Sequence, residues 1–328
     1  MLTPTYRPAG GVVKLMDYVQ HVRALGLEAS VWSPETASAD SELFRIERFA
    51  DLPAQVPMHS SPVLDIGPDD LALISLPDHY EVVLDSMPRG ASLHRVLHLV
   101  QNVRHTNPQW RAGYPTRLLT RPATRIAIND IVADEIRPWL DPRADLHVVD
   151  LGHDTAYFAR ERPPGWDRAR VVVGYTTWKS DVGDRVAERL RDDPRFIFHA
   201  IRGTASWAEV RDLYHRSDVF LSTPEPQEGL YLPGLEAMAA GCLVVTPDCG
   251  GNMAYCRPDD NVLLVPYDDV NGYVEALTTM AAFSDEEAQR MRAAGHAVVP
   301  RFDLTAERAG VADVLAHTWD RVRAAESP

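Results

Sequence analysis

Two glutamates, Glu228 and Glu236, stand with seven residues between them, and the text around them dictates a local shape. Pro233 fits the first turn of a helix, where its missing N–H costs nothing, and Gly241 fits the position just past the helix end. A helix start leaves N–H donors without intrahelical partners. With the amides of Gly229, Leu230, Tyr231 and Leu232 they form a patch of positive potential suited to a diphosphate. Glu228 precedes that loop and Glu236 lies one turn into the helix, so two carboxylates flank one anion site and accept hydrogen bonds from hydroxyl groups. A carboxylate against a vicinal diol is a common way of holding ribose. The alternative is structural: Glu236 as a favourable first-turn charge against the helix dipole, and Glu228 as a solvated loop residue.

The chain carries 33 Lys and Arg, of which only Lys14 and Lys179 are lysine. Each follows a glycine-marked turn, Gly10-Gly11 and Gly174 respectively, and a compact ammonium suits phosphate as a point charge. Two ordinary surface lysines are the other reading. Between Ser86 and Asn129 there is no acidic residue, while Arg89, Arg95, Arg104, Arg111, Arg117, Arg121 and Arg125 occur with His94, His98 and His105. That local inversion of charge is either a solvated face or a surface for an anionic acceptor or a membrane. Gln101, Asn102, Arg104 and His105 follow a predicted strand at its carboxyl end, the expected place for acceptor contacts. Cys242, Cys249 and Cys256 recur at intervals of seven, which is no metal-ligand spacing, and buried thiols are expected there.

The elements that must position these groups alternate between helix and strand. Residues 12–25 carry apolar positions at three- and four-residue spacing, a helix, and 27–32 read as a strand. Further strands are expected at 71–76, 96–100, 126–128 and 146–149, with a helix over 131–140 between the last two. A polar stretch with Gly152 and Gly165 near 150–167 reads as a linker. Strands then follow at 170–174, 196–200, 219–222, 243–246 and 262–265, separated by helices near 182–191, 207–215, 233–240 and 269–282. Two last helices over 285–297 and 304–323 close the chain. This is an α/β pattern of two doubly wound domains with parallel sheets: residues 1–160, residues 161–304, and a terminal helix over 305–328 that packs back on the first domain. Only Leu2 is aliphatic ahead of Pro4, so the first strand is expected to be short or missing.

Composition narrows the partners. With 328 residues and a net charge of −14, the surface repels nucleic acid, and no apolar run reaches the length of a membrane helix. Three cysteines and a start without signal-peptide organisation fit a reducing, cytoplasmic compartment.

The segment Glu228-Gly-Leu-Tyr-Leu-Pro-Gly-Leu-Glu236 resembles the E-x7-E signature of retaining nucleotide-sugar glycosyltransferases of GT-B fold, often called family 4. Three further segments carry the likeness: Pro8-Ala9-Gly10-Gly11-Val12 resembles the N-terminal glycine loop, Val149 to Phe158 the interdomain xxxGxDxxxF segment, and Gly250-Gly251 with Asn261 to Val265 the stretch after the signature helix. The resemblance implies that Glu236 holds the nucleotide ribose and Glu228 the hydroxyls of the transferred sugar. Gly229, Leu230, Tyr231 and Leu232 would hold the diphosphate, with Gly10 and Gly11 approaching it from the other domain. It implies transfer with retention, a nucleotide diphosphate sugar as substrate rather than a cofactor, and no metal. Lys179 stands where the family has a lysine, one position early, and the family arginine is absent, which leaves Arg185 or Arg202 for the second charge. His105 is the first-domain histidine with most chemical reach toward sugar or acceptor. Ala254 stands where relatives often have glutamate. Two other readings follow from these departures: a non-catalytic partner that binds a nucleotide sugar, and a sugar-nucleotide epimerase.

Overall fold

The computed structural model describes residues 1–61, 63–103, 119–162 and 165–326. The chain divides into two compact units, Met1–Asp150 with Leu304–Pro328, and Leu151–Asp303.

In the first unit the apolar stretch after Gly10-Gly11 forms α1 (Gly10–Ala24), followed by β1 (Val31–Trp32), α2 (Leu52–Gln55), β2 (Met58–His59), β3 (Ala72–Ile74) and α3 (Pro77–Ser86). Then come β4 (Val96–Val100), β5 (Thr124–Ala127), α4 (Asp130–Ile136) and β6 (Leu146–Val148). Strands β3, β4, β5 and β6 pair in that order and all in parallel, and β1 pairs in parallel with β2. The first three residues join the two sheets: Leu2 bridges Trp32 and donates its N–H to the Leu73 carbonyl at 2.9 Å. The first strand is thus present but reduced to a single bridge. Its side chain enters a core with Ile74, Tyr80, Val83 and Val96.

The second unit contains α5 (Thr155–Phe158), β7 (Val171–Thr176), α6 (Val182–Arg189), β8 (Phe196–Ile201), α7 (Trp207–Arg216), β9 (Val219–Leu221) and α8 (Leu232–Ala239). It continues through β10 (Leu243–Pro247), β11 (Leu263–Val265), α9 (Val270–Ala281) and α10 (Asp285–Val298). The strands order β11-β10-β9-β7-β8, all parallel. Val171, Val173, Val219, Leu221, Leu243 and Val245 pack with Val186 of α6 and Leu277 of α9 in one core. Near-continuous apolar strands are what a parallel sheet covered by helices requires.

The terminal helix α11 (Leu304–Glu326) belongs to the first unit. Glu307 reaches Lys14 at 2.8 Å and His21 at 2.8 Å on α1, and Glu326 pairs with Arg95 at 2.6 Å. Lys14 also meets Asp17 at 3.1 Å and is 2% exposed. The phosphate reading of Lys14 is therefore corrected: a buried ammonium already facing two carboxylates is a structural ion pair, its proton held by them against burial.

Candidate functional site

In the second unit the chain runs from β7 to β8 on one side and then returns to β9 on the other. Such a reversal opens a crevice between the loops leaving those strands, and ligands of open α/β sheets bind there. Lys179 sits in the loop after β7 and Glu228 in the loop after β9. The reversal brings them together: Lys179 Nζ lies 3.2 Å from Glu228 Oε1 and 3.7 Å from Glu225 Oε2. The Glu228 side chain is 9% exposed against 35% for Lys179, so the carboxylate is held in the crevice wall while the ammonium still faces water. The solvated-loop reading of Glu228 is corrected accordingly.

The Glu228 backbone is clamped by the segment after β10. Glu228 N–H donates to the Cys249 carbonyl and Gly251 N–H donates to the Glu228 carbonyl, both at 3.0 Å. A Cβ at Gly251 would lie 2.5 Å from the Glu228 carbonyl oxygen and nearer still to the Gly229 carbonyl, so the two loops close to this distance only with glycine. Tyr231 then takes the left-handed conformation, φ 60°, immediately ahead of α8. A non-glycine residue there is strained, and strain of that kind collects at functional turns. The Tyr255 hydroxyl donates to the Tyr231 carbonyl at 2.8 Å and pins the turn, while burial pushes the Tyr231 phenol upward. Past α8, Gly241 with φ 73° ends the helix. The amides of Leu230, Tyr231 and Leu232 thus lie at the N-terminal end of α8, where the helix dipole favours an anion.

Glu236 is buried one turn into α8 and 8% exposed. Its Oε1 lies 2.7 Å from His153 Nε2, and its Oε2 accepts from the Tyr214 hydroxyl at 2.8 Å. A carboxylate only accepts, so Nε2 of His153 carries the proton. His153 stacks on Phe158 at 5.6 Å and lies 5.5 Å from the Trp207 ring, and its N–H donates to the Phe302 carbonyl at 2.7 Å. Burial raises the Tyr214 phenol well above its ordinary value, and the Glu236 charge adds to this; the hydroxyl stays a donor. Sequence reading missed His153 and Tyr214. His153 stands in the segment resembling the interdomain signature, but its partner is 83 positions away, and no local periodicity signals that distance.

The remaining candidates disperse. Arg185 pairs with Asp181 at 3.0 Å and also with Asp268, and Arg202 is held by Asp184 and by the Tyr175 hydroxyl at 3.2 Å. In the first unit, Gly10 and Gly11 open α1, and Gln101 Nε2 donates to the Gly11 carbonyl at 3.1 Å. Asn102 is half-buried beside it in sequence. Arg104 and His105 lie outside the described residues, as do Arg111 and Arg117. Arg95 and Arg125 of the basic stretch are interior, 6% and 0% exposed, so neither contributes to an outer anion-binding or membrane-facing surface; desolvation lowers Arg125 to about 10. Arg121 meets Glu81 at 3.6 Å. Burial raises the Cys242 and Cys249 thiols to about 11 and about 12, and pushes Cys256 upward too, which removes thiolate chemistry at neutral pH. Among the described residues no group of three or more His, Cys, Asp or Glu is placed to hold a metal ion, and no helix is long and apolar enough to cross a membrane.

Residues 157–282 match the model of a family described as glycosyl transferases group 1. That span holds Lys179, Glu228, the α8 loop and Glu236, but not His153. Over nearly the whole chain the structure superposes on solved glycosyltransferases. The chain has the GT-B fold. A glycosyltransferase from Rickettsia africae gives a TM-score of 0.69 at 13% identity, covering 97% of each chain. HepE of Anabaena, in complex with UDP, gives 0.71 at 16% identity over 96% of this chain and 98% of that one. Sucrose-phosphate synthase from Thermosynechococcus elongatus gives 0.66 at 14% identity over 95% and 94%. No curated protein sequence matches the chain. At such identities GT-B likeness carries the architecture, and the chemistry rests on the site itself.

Proposed function

We propose that the protein is a glycosyltransferase that moves a sugar from a nucleotide diphosphate donor to an acceptor hydroxyl, with retention at the anomeric carbon and without a metal. The observation that carries this reading is the Lys179–Glu228 pair, 3.2 Å apart at the topological switch point beside the start of α8. The family match over residues 157–282 supports it, and HepE, solved with UDP-glucose, offers a first donor to test.

Each group has a role in the reaction. Glu236 accepts from the ribose hydroxyls and Glu228 from those of the sugar. The amides of Leu230, Tyr231 and Leu232 hold the diphosphate, and Lys179 neutralises charge as it departs, the kind of preorganised stabilisation that lowers a barrier most. The bond from the anomeric carbon to the phosphate oxygen breaks as the acceptor oxygen bonds to the same face, and the acceptor proton passes to the leaving diphosphate. Lys179 meets Glu228 in the free site, so donor binding replaces one acceptor of that ammonium by another. Arg185 and Arg202 are engaged by carboxylates of their own, which leaves Lys179 as the cation this reading relies on.

The test is a calorimetric panel of UDP, GDP, dTDP and ADP against wild type, Glu236→Ala and Glu228→Ala, followed by turnover with EDTA present. One nucleotide should bind, adding about 2.7 kcal/mol of stability at one hundred times its Kd. Glu236→Ala should weaken binding, while Glu228→Ala should spare binding and lose turnover. Absence of binding by all four nucleotides, or wild-type behaviour of both variants, would overturn the proposal.

A further inference from the structure

We infer that His153 and Tyr214 are positioning residues that orient the Glu236 carboxylate for a ribose diol, and so set the discrimination between ribonucleotides and 2′-deoxyribonucleotides. The inference rests on the reading of Glu236 as the ribose group.

The geometry is specific. A carboxylate offers two oxygens with about four acceptor directions. His153 takes one direction on Oε1 at 2.7 Å, and Tyr214 takes one on Oε2 at 2.8 Å. Each oxygen keeps a direction for an incoming hydroxyl, and a vicinal diol presents two. Rotation of the carboxylate about its terminal bond would break both clamps at once, so its plane is fixed before the nucleotide arrives. The donors are fixed in turn. The imidazole stacks on Phe158 and meets the tilted Trp207 ring, the three centroids 5.5–5.6 Å apart, and the His153 backbone N–H is tied to the Phe302 carbonyl, while the Tyr214 ring packs against Phe158 and Phe220. Both donors are less than 4% exposed, so water does not replace them when they are removed. Glu236 lies beyond the first turn of α8, where the helix dipole does little for a carboxylate. Two buried donors aimed at its separate oxygens, from α7 and from the segment ahead of α5, instead specify an orientation, which is what a diol requires.

The experiment measures calorimetric Kd values of UDP, GDP and ADP and of their 2′-deoxy counterparts on wild type, Tyr214→Phe, His153→Leu and His153→Gln. Thermal unfolding is recorded for each protein. Wild type should prefer the ribonucleotide by about tenfold or more, the value of one hydrogen bond to a charged group. Tyr214→Phe removes one oxygen atom and keeps the ring, and should reduce the preference to threefold or less. His153→Leu should do the same, and His153→Gln, whose amide donates from a similar position, should restore it. A folded His153→Leu or Tyr214→Phe that keeps the wild-type preference overturns the inference, as does equal weakening toward both sugars. If His153→Leu does not fold, Tyr214→Phe decides. If wild type binds none of these and not dTDP either, the functional reading fails and this inference falls with it; binding of dTDP alone, or binding without discrimination, overturns this inference and leaves that reading standing.

Discussion

Replacing Gly251 by alanine should dismantle the loop that carries Glu228. The added Cβ falls 2.5 Å from the Glu228 carbonyl oxygen and closer to the Gly229 carbonyl, where carbon and oxygen ordinarily stay roughly 3.3 Å apart. The obstacle is backbone, so no side chain can swing away, and the two loops must separate by on the order of 1 Å. Overpacking of that kind costs about 1–3 kcal/mol. The separation also weakens the two 3.0 Å bonds between Glu228 and the 249–251 segment, each worth about 1 kcal/mol. A loss of about 3–5 kcal/mol from these terms should lower the Tm of the second unit by about 10 °C or more. The loop amides move with it, and a 1 Å misplacement is enough for about a hundredfold loss of function. Differential scanning calorimetry and nucleotide titration read both effects. Gly295→Ala is the comparator: the atoms nearest its Cβ belong to the Met238 side chain, the first at 3.4 Å, inside α10, so it should be neutral or stabilising by up to about 1 kcal/mol. A Gly251→Ala protein that melts within a few degrees of wild type and binds nucleotide unchanged would refute the clamp.

Two further outcomes are expected. Glu307→Leu should destabilise the first unit by about 3 kcal/mol in urea unfolding, because it removes the carboxylate 2.8 Å from the buried Lys14 ammonium; adding Lys14→Met should recover most of the loss, and a single-variant effect below about 1 kcal/mol would contradict the ion-pair reading. Thermal stability should fall with acidification below neutrality. Burial lowers His79, His94, His147 and His296, with positive neighbours adding to the effect at His94, His147 and His296. A histidine depressed in the folded state binds fewer protons than in the unfolded chain, so its contribution is fully present above the unfolded value near 6.5 and is lost as pH falls through the depressed values. Melts should therefore be lower at pH 5.5 than at pH 7.5, by less in His296→Leu; equal stability at the two pH values would refute the assignment.

The architecture was legible because parallel α/β folding writes itself locally. Apolar runs such as Val96–Val100 and Val171–Thr176 have no polar face to hide, and the intervening helices repeat at their own period. The weak first strand was legible too, since a stretch with one aliphatic residue cannot bury a longer one. Short segments such as α2 and β2, four and two residues long, were not, because so few residues establish no period.

At the site, the spacing of Glu228 and Glu236, the proline that starts α8 and the glycine that ends it are properties of consecutive residues, and the chain alone determined the turn ahead of α8. The fate of the charges was decided in three dimensions. Lys14 and Lys179 look alike in the sequence, yet one is drawn into an ion pair with Glu307, 293 positions away, and the other stands at the crevice because the order of β7 and β9 places it there. Arg95 and Arg125 read as surface charge and are interior. His153 reached Glu236 only through folding. Helix starts and strand periods depend on neighbours in sequence, whereas burial and the partner of a charge depend on which distant segments the sheet order brings alongside.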